Sequence, residues 1–384
     1  MKPKFTNFIL TASIVVGFAG QVYAAPIVKQ NNLDALNLGS SWVGGSAPGA
    51  ADIAVWDATV DVNQTVALGS ALSWSGINMT DSGGDITFSA GSTLTLGTAG
   101  FSSAANKWIF INPAVALGAP QTWTTPNNLF VYGVVSGASA LTKNGSAILT
   151  LTNANSISGG INVTAGQLTT KNGAGLGPAT NVLTLGNGTT YRYERTTGNA
   201  GTFVGNPITV SAAASATITT DSAANGYTGV ITGDAASTVT IGATGALAQC
   251  SFSSGGNVQQ FGPFLGTAEI FDGASLRFSS TSGVNNGGAS TLFDTNLTGN
   301  ITTRNSGTVN LGSLIGSGTL TGSGGATGTA VFSIGGRNQD GVFEGRVLDG
   351  NLTDRKAALT KVGSATLTLT GANAYTGATN VNVG

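Results

Sequence analysis

The chain has 384 residues, and Asp, Glu, Lys and Arg supply only 8% of them, where about 25% is ordinary for a globular domain. Its formal charge is −1 and it holds no run of Lys or Arg, so nothing marks it for nucleic acid or for an anionic membrane surface. Histidine is absent, which removes Ser-His-Asp and Cys-His catalysis and the usual zinc sites. Neither a cofactor nor a metal is expected. Hydrophobic residues make up 41%, and the 59 glycines are about twice the usual share, so an ordered fold with many turns is predicted in place of a disordered chain.

The first predicted element is "MKPKFTNFILTASIVVGFAGQVYAAPI". Lys2 and Lys4 precede an apolar core running from Phe8 to Ala19, and Val22-Tyr23-Ala24 supplies a small-residue cleavage site. This pattern predicts a cleaved signal peptide over residues 1–24 and an exported mature chain. The alternative is a membrane anchor, for which the apolar core is short. Residues 25–140 are expected to hold an N-terminal cap and the first coils of the fold. Within them "WVGGSAPGAADIAVWDATV" (42–60) carries Trp42 and Trp56. Two roles are open to this pair, packing in the core or end cap and stacking on a sugar; packing is favoured because the first coil of a stack needs its apolar end covered. "DSGGDITF" (81–88) has carboxylates and glycines but lacks a calcium-roll repeat.

From residue 141 the chain repeats itself. "LTKNGSAILTLTNANSISGGINVTAG" (141–166) and "LTKVGSATLTLTGANAYTGATNVNVG" (359–384) agree at 16 of 26 positions without a gap. The shared residues include Leu141, Lys143, Gly145, Leu149, Leu151, Asn155 and Gly159, matched by Leu359, Lys361, Gly363, Leu367, Leu369, Asn373 and Gly377. Leu149 and Leu151 alternate with threonines, as do Leu367 and Leu369, and the period of two means strand. Ile161 and Val163 give the first copy a second strand, as Thr379, Val381 and Val383 do in the second, and Asn- and Gly-rich turns lie between. Asn155 and Asn373 are open to two readings, rungs of a hydrogen-bonded side-chain ladder or ordinary turn residues. Fragments such as "LTLG" (94–97 and 183–186), "VTIG" (239–242) and "GTLTG" (318–322) repeat the signal. Sandwiches and barrels also alternate, but a solenoid accounts for the return of one unit along the chain. With roughly 20 to 24 residues per coil, about 15 coils would stack 4.8 Å apart. Cys250, the lone cysteine, is expected to be a small buried apolar residue in "LAQCSFSS".

The phrase "LTKxGSAxLTLTxANxxxG" resembles the autotransporter-associated β-strand repeat of large exported bacterial proteins. Residues 359–384 follow that pattern with Ala374 in place of Thr and Ala378 in place of Gly; residues 141–166 depart further, at Ser156-Ile157. The resemblance implies an all-β, right-handed parallel β-helix (β-solenoid) that serves as a non-enzymatic, adhesin-like passenger, secreted or held at the cell surface of a Gram-negative-type bacterium. Its expected partners are a glycan or other cell-surface ligand, and outer-membrane secretion machinery or a downstream barrel or sorting segment. Because the chain stops at Gly384, where the repeat would begin another strand, the repeat region 141–384 is expected to be part of something longer.

Two rival functions have named residues. A β-helical polysaccharide-degrading enzyme would draw acid, base or nucleophile from Asp340, Glu344, Asp349 and Asp354, since paired carboxylates can cleave glycosidic bonds. These are interleaved with Arg337, Arg346 and Arg355, so a solvated, salt-bridged face is the favoured reading. A carbohydrate-binding surface would use Tyr191, Tyr193 and Arg195 of "TTYRYERTT" (189–197), which share one side of a strand. Cross-strand packing is the default for those tyrosines.

Overall fold

The computed structural model describes residues 25–104, 106–194, 203–221, 226–243, 249–252, 259–279, 285–325 and 327–383. The expected signal peptide (1–24), Arg195 and Gly384 lie outside the described residues.

The described chain is a parallel β-solenoid of about 14 turns. Its spine is a 15-stranded sheet from Gln64–Val66 to Thr379–Val381, in which every coil adds one strand beside the last. A 13-stranded sheet forms a second wall from Pro26–Val28 to Ile231–Thr232, and a 7-stranded sheet takes over from Phe203–Val204 to Arg346–Leu348. Among the described residues the one helical element is a 3-10 turn, Gly39–Ser41.

Period-two alternation explains both walls. In the spine, Ile109 pairs with Leu129, Leu129 with Leu149, Leu149 with Leu168 and Leu168 with Tyr191, all with 2% exposure or less. Such a column contributes about 1.5–3 kcal/mol for each large apolar side chain it hides from water. Backbone groups are satisfied by the coils on either side, so each strand depends on its neighbours for hydrogen bonds as well as for the core. Coil length is uneven. Strand partners in neighbouring coils stand as close as 19 positions, Asn300 with Thr319, and as far as 29, Thr240 with Glu269. The range extends beyond the 20 to 24 expected, because loops lengthen while the strand registers hold.

The N-terminal edge strand Pro26–Val28 pairs on one side with Ile53–Trp56. Its other side is covered by the chain doubling back, with an antiparallel bridge between Lys29 and Trp42 and a bond from Val43 N–H to Val28 O at 2.8 Å. Trp42 is fully buried, donates Nε1–H to Leu36 O at 2.8 Å, and sits edge-on to Trp56 and Trp74 at 5.6 and 5.7 Å. Trp42 and Trp56 therefore pack the end of the stack and offer no ring to a sugar. Cys250 is buried in the strand Gln249–Phe252, and burial drives its thiol pKa up, which leaves it inert as a thiolate source.

Candidate functional site

The repeat builds the same local device twice. In the strand Leu141–Asn144, Leu141 and Lys143 share the inward side, and the strand ends at Gly145, whose φ is 83°. A Cβ there would overlap the Thr125 carbonyl, so the position requires glycine. Lys143 is fully buried. Its aliphatic stem lies in the wall of the core, while Nζ donates to Asn144 O at 3.0 Å, Gly145 O at 2.7 Å and Ala165 O at 3.1 Å. Lys361 repeats this, donating to Val362 O at 2.8 Å and Gly363 O at 2.7 Å, with Gly363 at φ 72°. Three ammonium donors suit a turn whose carbonyls point inward, and these lysines are structural. Burial lowers the Lys143 pKa to about 8. Lys29, also buried, is lowered to about 8 by desolvation against the opposing pull of Asp34, and it caps Gln30 O and Asn32 O in the same manner.

Asn155 and Asn373 form neither an Asn-on-Asn ladder nor a merely local turn. Asn155 Oδ1 accepts Val135 N–H at 2.8 Å and its Nδ2 donates to Gly175 O at 2.6 Å, so one amide ties three coils together. Asn373 Oδ1 accepts Val347 N–H at 2.8 Å, and its Nδ2 turns back to Gly371 O. In both copies the strand carrying Lys pairs with the strand 20 residues on: Leu141 with Ile161, and Leu359 with Thr379. Leu149, Leu151 and Leu141 are fully buried, whereas Leu367 and Leu369 are half-buried and border an apolar cavity of about 320 Å³ with Ile334, Leu359 and Val381. Gly159 and Gly377 both lie where a Cβ would overlap the preceding coil's backbone.

Three of the acidic candidates bond neighbouring coils through their carboxylates. Asp340 accepts Thr366 N–H at 2.7 Å, and Glu344 accepts the Ser317 hydroxyl at 3.1 Å. Asp349 accepts Ala357 N–H at 2.8 Å and the Thr376 hydroxyl at 2.7 Å. Desolvation pushes the Asp349 carboxyl up, but these bonds and the charge of Lys356 outweigh it and hold the group below its usual range. Asp354 contributes its backbone carbonyl to Gly328 N–H at 2.7 Å. The arginines bond carbonyls: Arg337 to Leu265 O and Gly266 O, Arg346 to Ala372 O, Arg355 to Gly324 O and Gly325 O. The salt-bridged face expected here is corrected accordingly. Among the described residues no ion pair links these arginines to these carboxylates: the arginines, Asp340 and Asp349 bond backbone groups, and Glu344 bonds a hydroxyl.

Tyr191 and Tyr193 take the packing role favoured for them, and the rival reading of a glycan face is the one corrected. Both rings are fully buried in the strand Thr189–Tyr193. Tyr191 continues the inward column of Leu149 and Leu168, shares a 2.8 Å hydroxyl bond with Thr170 and lies 5.9 Å from Tyr227; burial raises its phenol pKa. The outward positions of that strand are polar, with Arg192 and Lys171 paired to Glu194 at 2.9 and 3.2 Å.

The exposed aromatic residues lie elsewhere and were missed. Trp108 and Tyr132 are 53% and 45% exposed, and between them Phe110 and Phe130 stack in register at 5.4 Å with 17° between ring planes. Trp108 lies 6.2 Å from Phe110 and 6.0 Å from Phe130, and Tyr132 lies 6.5 Å from Phe130. The signal was there in "KWIFIN" and "LFVYGV", where aromatics take the positions alternating with buried Ile109, Ile111, Leu129 and Val131.

The coil stacking, the capped first turn and the twice-built lysine device define a parallel β-solenoid. Residues 141–169 and 359–384 match the family model described as the passenger-associated-transport-repeat, and the two segments are copies of that repeat. Neither the curated proteins nor the solved structures hold a match to the chain. The repeat and the fold together fit an autotransporter passenger.

Proposed function

We propose that the chain is the exported, non-enzymatic passenger of an autotransporter-like protein, and that it presents a long adhesive surface outside the cell. The observation that carries this is that both repeats build the same lysine-capped turn and pair the lysine strand with the strand 20 residues on, the first copy in the 13-stranded sheet and the second in the 15-stranded sheet of one solenoid. Fifteen strands at about 4.8 Å make a rod of roughly 70 Å. On this proposal residues 1–24 are a cleaved leader, residues 25–140 cap and start the stack, and residues 141–384 extend it. The winding is right-handed, as parallel crossovers nearly always are. The partners are a glycan or other cell-surface ligand, and outer-membrane secretion machinery or a barrel or sorting segment acting on the same protein.

The test is to express the chain behind its own leader in a Gram-negative host. The expected outcome is a mature N-terminus at Ala25, protease-accessible chain outside the cell, and a gain in adhesion to host cells or glycan-coated surfaces. Cleavage of an acidic polysaccharide by the purified chain, lost on Asp340→Asn or Glu344→Gln, would overturn the non-enzymatic part.

A further inference from the structure

We propose that the outward face formed by Trp108, Phe110, Phe130 and Tyr132 is a binding site for an uncharged polysaccharide. This rests on the adhesive reading above and gives it a ligand class. Side chains on the outer face of a solenoid gain little from the core, so four adjoining aromatics there are a departure from the polar surface around them. Trp108 and Tyr132 carry most of the exposed ring area.

Three observations select the occupant. First, the size is wrong for a folded protein. Two rings about half exposed and two less so offer on the order of 350 Å², against roughly 800 Å² per partner in a stable protein interface. Second, the platform is two coils tall, and coils are about 4.8 Å apart, the scale of a single sugar ring. The C–H face of a pyranose meets the negative face of an aromatic ring favourably and needs little area. Third, the rim is made of amides. The side chains of Asn127 and Asn106 bond each other at 2.6 Å beside Trp108, Asn153 Nδ2 donates to Tyr132 O at 2.9 Å, and Asn112 Nδ2 donates to Phe88 O at 2.9 Å. An amide carries two donors and an acceptor, so a rim of this chemistry suits a ligand rich in hydroxyls. The ionisable groups nearest in sequence and by contact are Lys107 and Asp85, whose carboxylate accepts Trp108 N–H at 2.9 Å. One charge of each sign gives no field for an acidic glycan.

The experiment uses the intact chain and its own fluorescence. Of five tryptophans, Trp42, Trp56, Trp74 and Trp123 are at most 1% exposed, so quenching by acrylamide reports on Trp108. Titration with cellohexaose and with chitohexaose is expected to protect Trp108 and shift its emission to the blue for at least one of them. Polygalacturonate is expected to do neither. By calorimetry, Trp108→Ala should weaken binding about tenfold or more and Tyr132→Ala several-fold, with the thermal midpoint unchanged; Trp108→Phe should restore part of the affinity. Absence of binding by both neutral probes, a preference for polygalacturonate, or unchanged affinity in Trp108→Ala overturns the site. The adhesive reading fails separately, if cells displaying the unaltered chain adhere to nothing. Displayed chain that still adheres while the purified protein ignores both neutral probes removes this site and leaves the adhesive reading standing.

Discussion

Lys143 and Lys361 hold the same place in the two repeats: each sends its ammonium to the carbonyl of the glycine two residues on, at 2.7 Å in both cases. A charge buried in a wall of leucine is stable only if its donors are met, and here the turn supplies the acceptors. Replacing Lys143 by Met keeps the stem and removes the donors, which strands the carbonyls of Asn144, Gly145 and Ala165. Orphaned buried acceptors cost about 1–3 kcal/mol each, partly offset by relief of the ammonium's desolvation, so a net loss of roughly 2 kcal/mol is expected. In a solenoid the loss falls on neighbouring coils first, and hydrogen exchange across residues 141–166 is the measurement. Unaltered protection of those amides would refute the capping role.

The same burial sets a pH signature. The Lys143 pKa in the folded chain is about 8, against 10.5 for the free side chain. Between those values the unfolded chain binds the extra proton, so stability rises as pH climbs from about 8 to about 10.5 and is flat below. Lys29, also at about 8, adds to the slope with the same sign. Denaturation midpoints across this window should climb more steeply in the unaltered chain than in Lys143→Met. Parallel curves would show that the ammonium is solvated.

These lysines also mark the limit of what could be read in the sequence. Leu149 with Leu151 and Leu367 with Leu369 declared strands because small polar residues separate them. Leu141–Asn144 did not, since a lysine at its second inward position breaks the pattern until the turn carbonyls are in place. At Tyr191 and Tyr193 the period was visible and its direction was not. Alternation assigns two sides, but a strand with Tyr on one and Arg and Glu on the other does not say whether the phenols are wet. The inward column set by Leu149 and Leu168 decides it. Trp108 and Tyr132 escaped notice for the converse reason, as apolar residues on both faces of a strand erase the alternation. Asp340 and Asp349 looked like partners for the arginines because sequence shows charges and hides the backbone groups that compete for them.

Asn155 is the tie most sensitive to truncation. It is 7% exposed and serves Val135 N–H on one side and Gly175 O on the other. Asn155→Ala leaves a donor and an acceptor unpaired between coils and is expected to cost about 2–4 kcal/mol. Asn155→Asp keeps the acceptor for Val135 but turns the donor toward Gly175 O into a second acceptor, and should do no better at neutral pH. Chemical denaturation of the three proteins checks the order. Equal midpoints for Asn155→Ala and the unaltered chain would mean that water replaces both bonds.

Asp349 gives the acid limb. Its carboxylate joins Ala357 N–H to the Thr376 hydroxyl and N–H, and the folded group lies below its ordinary value even though desolvation works against it. A depressed carboxyl contributes stability that is in full effect above its unfolded pKa of about 4 and is lost as pH falls through the folded value. Acidification from about pH 5 to pH 2 should therefore lower the protection factors of Ala357 and Thr376 together, each taken against the intrinsic exchange rate at that pH, ahead of the coils around Leu129 and Leu149. Asp349→Asn should raise the exchange rate at pH 7 and flatten its dependence on acid. The same acid dependence in Asp349→Asn would assign the loosening to other carboxylates, and a protection factor at Thr376 independent of pH would remove Asp349 from the tie between these coils.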